Sequence, residues 1–108
     1  MGKLDLPQGT LDLLVLRVLS RGEMHGWGIA QKITVLSKDA IQLQEGTLYP
    51  ALYRMEAKGW ITSEWAQSDN NRRAKYYRLT KVGWKRLGEE KQDWDRLAEA
   101  VAAILKDA

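Results

Sequence analysis

The spacing of apolar residues changes twice along this chain, and the two changes restrict its fold more than any other feature. Up to Gly59 the spacing is helical. TLDLLVLRVLSRG (10–22) sets Leu11, Leu14, Val15, Val18 and Leu19 three and four apart, which makes one broad apolar face. Thr10 is placed to cap this helix, Asp12 to favour the dipole in its first turn, and Gly22 to end it. HGWGIAQKITVLSKD (25–39) repeats the pattern through Ile29, Ile33 and Leu36, with Gly26 and Gly28 allowing close packing. IQLQ (41–44) alternates as a very short strand would. TLYPALYRMEAKG (47–59) is a third helix, stopped by Gly59.

Beyond Gly59 the period is two. WITSEWAQ (60–67) puts Ile61, Ser63 and Trp65 on one side. AKYYRLT (74–80) puts Tyr77 and Leu79 on one side, with Tyr76 and Arg78 on the other. The intervening SDNNRR (68–73) is rich in residues that tolerate left-handed backbone, so the segment reads as a β-hairpin with a basic tip. After Thr80, placed to cap, the helical period returns and lasts to the end. Trp84, Leu87, Lys91, Trp94, Ala98, Val101 and Leu105 alternate spacings of three and four, which is a coiled-coil seam. A helix of about 26 residues is about 39 Å long at ~1.5 Å per residue. The body before it is too small to cover that length. The stripe calls for a second copy of the chain, the alternative being a helix folded back on its own domain.

Composition narrows the function. The 108 residues suit one domain with an appended element, and 44% hydrophobic with 29% charged is an ordinary globular balance. Five Trp and four Tyr with no Phe give aromatics that mostly carry a polar end. No Cys means no disulfide and no thiolate metal site. The one histidine, His25, has no acid or Cys at ligand or triad spacing, and no glycine-rich phosphate loop follows a strand. Catalysis, metals and cofactors are therefore not expected, and His25 reads as a helix-start residue. No apolar run approaches the ~18 residues of a membrane span. MGKLDLPQGT lacks a signal pattern, and Leu6 breaks the myristoylation pattern that Gly2 would begin. The expected location is the cytoplasm.

The net charge of +3 is modest, but its distribution is not. Between Asp69 and Glu89 there is no acid, only Arg72, Arg73, Lys75, Arg78, Lys81, Lys85 and Arg86. Such a run is the footprint of a polyanion partner, against the alternative of a solvated loop and helix start.

The element order is that of a mainly α protein with a small β-hairpin: a winged helix-turn-helix over residues 1–80 and a long C-terminal helix over 81–108. In that architecture the third helix enters the DNA major groove and the hairpin is the wing. Stepping 100° per residue sets Leu48, Ala51, Leu52, Met55 and Gly59 inward. Gly46, Pro50, Tyr53, Arg54 and Ala57 face outward, flanked by Thr47 and Tyr49. An outer face poor in charge and holding Gly, Pro and Ala suits close backbone contact rather than solubility. With Thr47 as cap, Pro50 falls in the first turn, where a missing N–H costs nothing, and the free N–H groups suit a phosphate. The candidate DNA contacts are therefore Thr47, Tyr49, Pro50, Tyr53 and Arg54 on this helix, and Asn71, Arg72, Arg73 and Lys75 on the wing. Packing of Tyr49 and Tyr53 against the wing or first helix is the alternative.

QGTLDLLVLRVL, MHGWGIAQKI, EGTLYPALYRMEAKGWI and RRAKYYRLTKVGWKRL, in that order, resemble the PadR family of bacterial transcriptional regulators. The GTLYPAL block followed by a basic-KYY-x-LT block is the specific part. The resemblance implies a winged-helix homodimer that binds a palindromic operator in double-stranded DNA and usually represses. It implies DNA contact around Thr47 and Tyr49 and at Arg72, Arg73 and Lys75. It implies dimerisation through the last helix, here Trp84, Leu87, Trp94, Ala98, Val101 and Leu105, often with the partner's N-terminal helix. The single final helix matches the short type of that family, while NNRRA stands where many members carry Gly or Pro in the wing. Some short members hold a flat aromatic compound between subunits, which makes Trp94 a candidate face for a small aromatic effector, with plain dimer core as the alternative. A winged helix used only for protein contacts is the competing function; the acid-free run argues against it.

Overall fold

The structure is a computed structural model that describes residues 6–107. Gly2 and the outermost parts of the two expected units, residues 1–5 and 108, lie outside the described residues. The elements follow in the order α1 (Gln8–Leu19), β1 (Met24–His25), α2 (Gly26–Leu36), α3 (Glu45–Ala57), β2 (Ile61–Gln67), β3 (Arg73–Leu79) and α4 (Lys81–Lys106). This is the expected winged helix-turn-helix followed by one long helix.

The core lies where the first three helices meet the base of the sheet. Leu11, Val15, Leu16 and Leu19 of α1 pack with Ile29 and Ile33 of α2, with Leu48, Ala51, Leu52 and Met55 of α3, and with Ile61 and Tyr77 of the sheet. Each large side chain so buried stabilises the fold by about 1.5–3 kcal/mol in area terms. The inward face read for α3 is the one observed, except that Gly59 lies beyond the helix. Leu36, expected inward on α2, is exposed.

The helix ends differ from expectation at several points. α1 starts at Gln8 with Pro7 as its cap, so Thr10 is already inside the helix and caps nothing. Asp12 is consequently in the second turn rather than the first, and it is buried. α1 stops at Leu19, where the Ser20 hydroxyl donates to the Arg17 carbonyl, and Gly22 turns the chain at φ +143° only afterwards. α3 ends as read: Gly59 takes φ +79°, its N–H reaches the Glu56 carbonyl and the Trp60 N–H reaches that of Met55. This pair of bonds satisfies the last carbonyls of the helix.

The short strand is not IQLQ. Ile41 and Leu43 do turn toward the core, as their alternation implies, but the segment is a connector with no strand beside it. The third strand is Met24–His25, which pairs antiparallel with Tyr76 and Tyr77, so the sheet order is β1-β3-β2. Alternation reports which side chains are inward; a ladder also needs a neighbouring backbone, and only Met24–His25 has one.

α4 runs for 26 residues and is capped as expected, the Thr80 hydroxyl accepting the Gly83 N–H at 3.0 Å. Its first turns belong to the body: Gly83 is buried and Leu87 packs against the core. From Lys91 onward every described residue is exposed.

Candidate nucleic-acid interface

The outer face of α3 is fixed by two polar anchors. Arg54 donates to both carboxylate oxygens of the buried Asp12, at 2.8 and 2.7 Å, which ties α3 to α1. This corrects the helical wheel: the Arg54 guanidinium is drawn inward to a buried acid instead of standing on the outer face. The hydrogen bonds and charge of the Asp12 carboxylate raise the Arg54 pKa above its ordinary value, against the opposing effect of burial, so the guanidinium stays charged. Two residues further on, Glu56 accepts the Ser63 hydroxyl at 2.6 Å and lies 3.5 Å from the Lys75 ammonium, which ties α3 to the wing.

What remains exposed on α3 is Glu45, Gly46, Thr47, Tyr49, Pro50, Tyr53 and Ala57. Tyr53 is 78% exposed and touches no anchor. Tyr49 lays its ring against the start of α2, where a Cβ on Gly26 would come within 2.7 Å of it. Gly26 is thus small because of an aromatic ring, not because of a helix backbone.

The first turn of α3 departs from expectation. The helix begins at Glu45, with Gln44 before it and no side-chain cap. The N–H groups of Thr47 and Leu48 both reach the Gln44 carbonyl at 3.0 Å, so Thr47 is no cap and its N–H is taken. Pro50 is then the sixth helical residue, in the second turn. There its missing N–H does have a consequence, because the Gly46 carbonyl loses the donor a helix would supply. With no side chain on Gly46 and no N–H on Pro50, the exposed face offers bare backbone and a Gly46 carbonyl without its usual helical donor.

The wing completes the site. In the hairpin register Ile61 faces Leu79, Ser63 faces Tyr77, Trp65 faces Lys75 and Gln67 faces Arg73. These pairs share one side of the ribbon. At the base that side is core, with Ile61 and Tyr77 buried; toward the tip the same side carries Trp65, Lys75 and Arg73. Arg73 lies over the Trp65 ring at 5.7 Å and Lys75 over Tyr77 at 5.8 Å. Arg73 is thus inside β3 rather than in the loop, and Arg72 is at the exposed turn. Asn71 takes φ +65°, and the Ser68 N–H and hydroxyl both donate to the Arg72 carbonyl, closing the tip without Gly or Pro. Arg78 points to the opposite side.

Between the wing and the helices lies a cleft of about 740 Å³, lined by His25, Gly26, Trp27, Tyr49, Trp65, Tyr77 and the wing residues Ser68 to Lys75 except Asn71. It brings together Tyr49, Arg72, Arg73 and Lys75 of the expected contacts. Thr47, Pro50 and Tyr53 stand beside it on the outer face of α3, and Asn71 and Arg54 do not line it. The reading from sequence missed Trp27, Trp65 and His25. His25 caps α2 by accepting the Gly28 N–H on Nδ1 at 3.0 Å and stacks on Trp27 with centroids 6.1 Å apart. The alternation of Trp65 with Ile61 and Ser63 marks one side of β2, but alternation alone does not show that this side leaves the core before the tip. Among the described residues, no group of three or more His, Cys, Asp or Glu is arranged to hold a metal ion. Nor, among the described residues, is any helix long and apolar enough to cross a membrane.

The uncovered half of α4 carries the other candidate surface. Trp84, Trp94, Leu97, Val101, Ile104 and Leu105 are all at least 44% exposed. Leu97 and Ile104 were not on the seam as read, and Leu87, which was, packs against the core of its own chain. The stripe is therefore broader than a strict seam and shifted toward the free end.

Comparison with known proteins agrees with this geometry. A family described as the transcriptional regulator PadR-like family matches residues 15–89. A transcriptional regulator of Mycobacterium tuberculosis is 32% identical over 97 residues, covering 90% of this chain and 87% of that one. The solved structure of a PadR family transcription regulator from Clostridium difficile superposes with a TM-score of 0.76 at 34% identity, covering 88% of this chain and 97% of that chain. A transcriptional regulator from Clostridium thermocellum superposes with a TM-score of 0.84 at 27% identity, covering 92% and 96%.

Proposed function

Because this chain belongs to the PadR-like family of transcriptional regulators, a family of regulators rather than enzymes, we propose that it is a sequence-specific DNA-binding repressor that acts as a homodimer on a palindromic operator. The observation that carries the reading is that two unlike surfaces flank one cleft, joined at Tyr49. On one side is the nearly uncharged outer face of α3, fit for close approach to base edges. On the other is the cationic inner side of the wing, fit for the phosphates that flank them.

Roles divide accordingly. Tyr53, Thr47 and Pro50, with the Gly46 carbonyl, meet the major groove, and Tyr49 meets its edge. Arg72, Arg73 and Lys75 meet the backbone or the adjacent minor groove, with Asn71 shaping the turn. Arg54 sets the pose of α3 through Asp12. Residues 1–80 read DNA and residues 81–108 dimerise, the two joined where Gly83 and Leu87 enter the core. Trp94, Ala98, Val101 and Leu105, extended by Leu97 and Ile104, pack against the partner's copy, and Trp84 lies on the rim. An exposed stripe of this size supports a partner, since soluble monomers rarely leave such patches uncovered. Trp94 serves as dimer packing; a small aromatic effector would have to wedge against it.

The test is fluorescence anisotropy with a duplex from upstream of the protein's own gene and a scrambled control, across a salt series. Selective, salt-steep binding is expected. Equal, weak binding to both duplexes would favour a winged helix that docks proteins. For the dimer, Trp94→Asp is expected to halve the sedimentation mass, and an unchanged mass would refute the interface.

A further inference from the structure

Two tryptophans in this molecule have no structural task. Trp60 lies between the Lys58 ammonium and the Arg86 guanidinium, each 4.9 Å from its ring. Trp84 and Trp94 are on α4. Trp27 and Trp65 instead look into the cleft from opposite walls, the first turn of α2 and the inner side of the wing, and they are 61% and 59% exposed. Neither ring hangs free. Trp27 stacks on His25, which is itself held by its bond to the Gly28 N–H and by the edge of Tyr76 at 5.4 Å. Trp65 carries Arg73 on its face.

A large apolar side chain that is both exposed and held in place does nothing for solubility and little for the core. It is preorganised surface, whose ordering has been met before any partner arrives. The space between the two indoles is bordered by Arg72, Arg73 and Lys75, against the single acid Asp69. A partner that fits must offer apolar faces and negative edges along one line. The sugar–phosphate strand of a DNA duplex does so: deoxyribose presents an apolar face and each phosphate accepts hydrogen bonds. The indole Nε1–H is a donor with no acceptor function, suited to a phosphate oxygen. The bases of a duplex are stacked on one another, so the rings meet sugars rather than bases.

We infer that Trp27 and Trp65 are DNA-contacting residues, which grip one sugar–phosphate strand between the wing and the start of α2 and supply a part of the affinity that does not depend on salt. The inference rests on the DNA-binding reading above. Its distinguishing property follows from the chemistry: an indole against a sugar releases no counterion, whereas an arginine on a phosphate does.

The experiment uses the full chain and a fluorescent mixed-sequence duplex of about 30 base pairs, long enough for two half-sites a helical turn apart. Anisotropy is followed from about 50 to about 200 mM salt, where phosphate contacts change affinity by orders of magnitude. Trp27→Ala and Trp65→Ala are each expected to weaken binding about tenfold at every salt, the loss that follows from removing the apolar indole face covered by the sugars. The slope of log Kd against log salt is expected to stay at the wild-type value. Arg72→Ala with Arg73→Ala is expected to flatten that slope by about 0.9 per charge lost. Trp65→Phe, which keeps a ring on the wing, is expected to retain most of the affinity. Alanine variants that bind like the wild type would overturn the inference. So would a Trp65→Ala variant that flattens the slope as the arginine variant does, since Trp65 would then only prop up Arg73. A wild-type protein that binds no duplex at the lowest salt would overturn the DNA reading itself, and this inference with it.

Discussion

Gly83 stands at the third position of α4, directly above the Trp60 carbonyl, and its replacement by alanine tests how α4 is joined to the body. A Cβ built there would lie 1.9 Å from the Trp60 oxygen, 3.0 Å from its carbon and 3.3 Å from Leu79 Cδ2. The obstructing atom is backbone, so no side chain can swing aside. That oxygen also accepts the Thr80 N–H at 3.1 Å, and it shares the Thr80 hydroxyl proton, at 3.1 Å, with the Gly59 carbonyl at 2.6 Å. Making room must open the junction of β2, β3 and α4 by about an ångström. Overpacking of this kind costs about 1–3 kcal/mol or more, and weakening two hydrogen bonds adds about 1 kcal/mol each. The helix-propensity gain of alanine offsets about 1 kcal/mol. A net loss of about 3 kcal/mol is expected, a large share of the ~5–15 kcal/mol that a small domain has. Gly88, five residues along the same helix, meets nothing within 4 Å. Gly88→Ala is therefore expected to stabilise by up to about 1 kcal/mol. At about 4–8 °C per kcal/mol, the two variants should melt on opposite sides of the wild type when followed by circular dichroism at one protein concentration. A Gly83→Ala protein as stable as the wild type, or two variants that shift the same way, would refute the reasoning.

Other perturbations follow from the same contacts. Asp12→Ala leaves Arg54 without its carboxylate; because the Arg54 side chain keeps 26% exposure, a loss near the low end for a broken buried pair, about 3 kcal/mol, is expected in urea unfolding. Arg54→Met in that background should recover part of it, and no recovery would mean that the charge is not the cause. Burial, followed by the charge of Glu56 and by Tyr49, raises the Tyr77 pKa above its ordinary value. The unfolded chain then releases this proton first, near pH ~10, so stability present below that pH is lost as pH rises through the folded value. Tyr77→Phe should make the alkaline fall in melting temperature shallower, and parallel curves would exclude Tyr77 as a contributor. Gly26→Ala must push the Tyr49 ring away while leaving the backbone in place. Little change in stability but weaker operator binding is expected. Combined with Tyr49→Ala the losses should not add, whereas full additivity would separate the two residues.

The order and type of the elements, and most of the core, could be read from periodicity, because a helix or strand buries one face and the apolar residues must return to it at 3.6 or 2. Leu48, Ala51, Leu52 and Met55, the Thr80 cap and the Gly59 stop were legible for that reason, each being set by neighbours within a few residues. The wing's basic tip was legible as charge. Contacts between distant parts of the chain were not. Asp12 and Arg54 are 42 residues apart, and each alone looked like a surface charge; nothing local says that an acid one turn into α1 will be buried against an arginine on α3. IQLQ alternates as well as many strands, yet Met24–His25 became the strand because only it came alongside β3. Trp27 and Trp65 lie far apart in sequence and meet across one cleft because α2 and the wing close over it. Local chemistry dictates which face each element buries and where it stops. Which charges pair, which ring faces which, and what the cleft is lined with depend on how the elements are docked, a property of many distant contacts acting together.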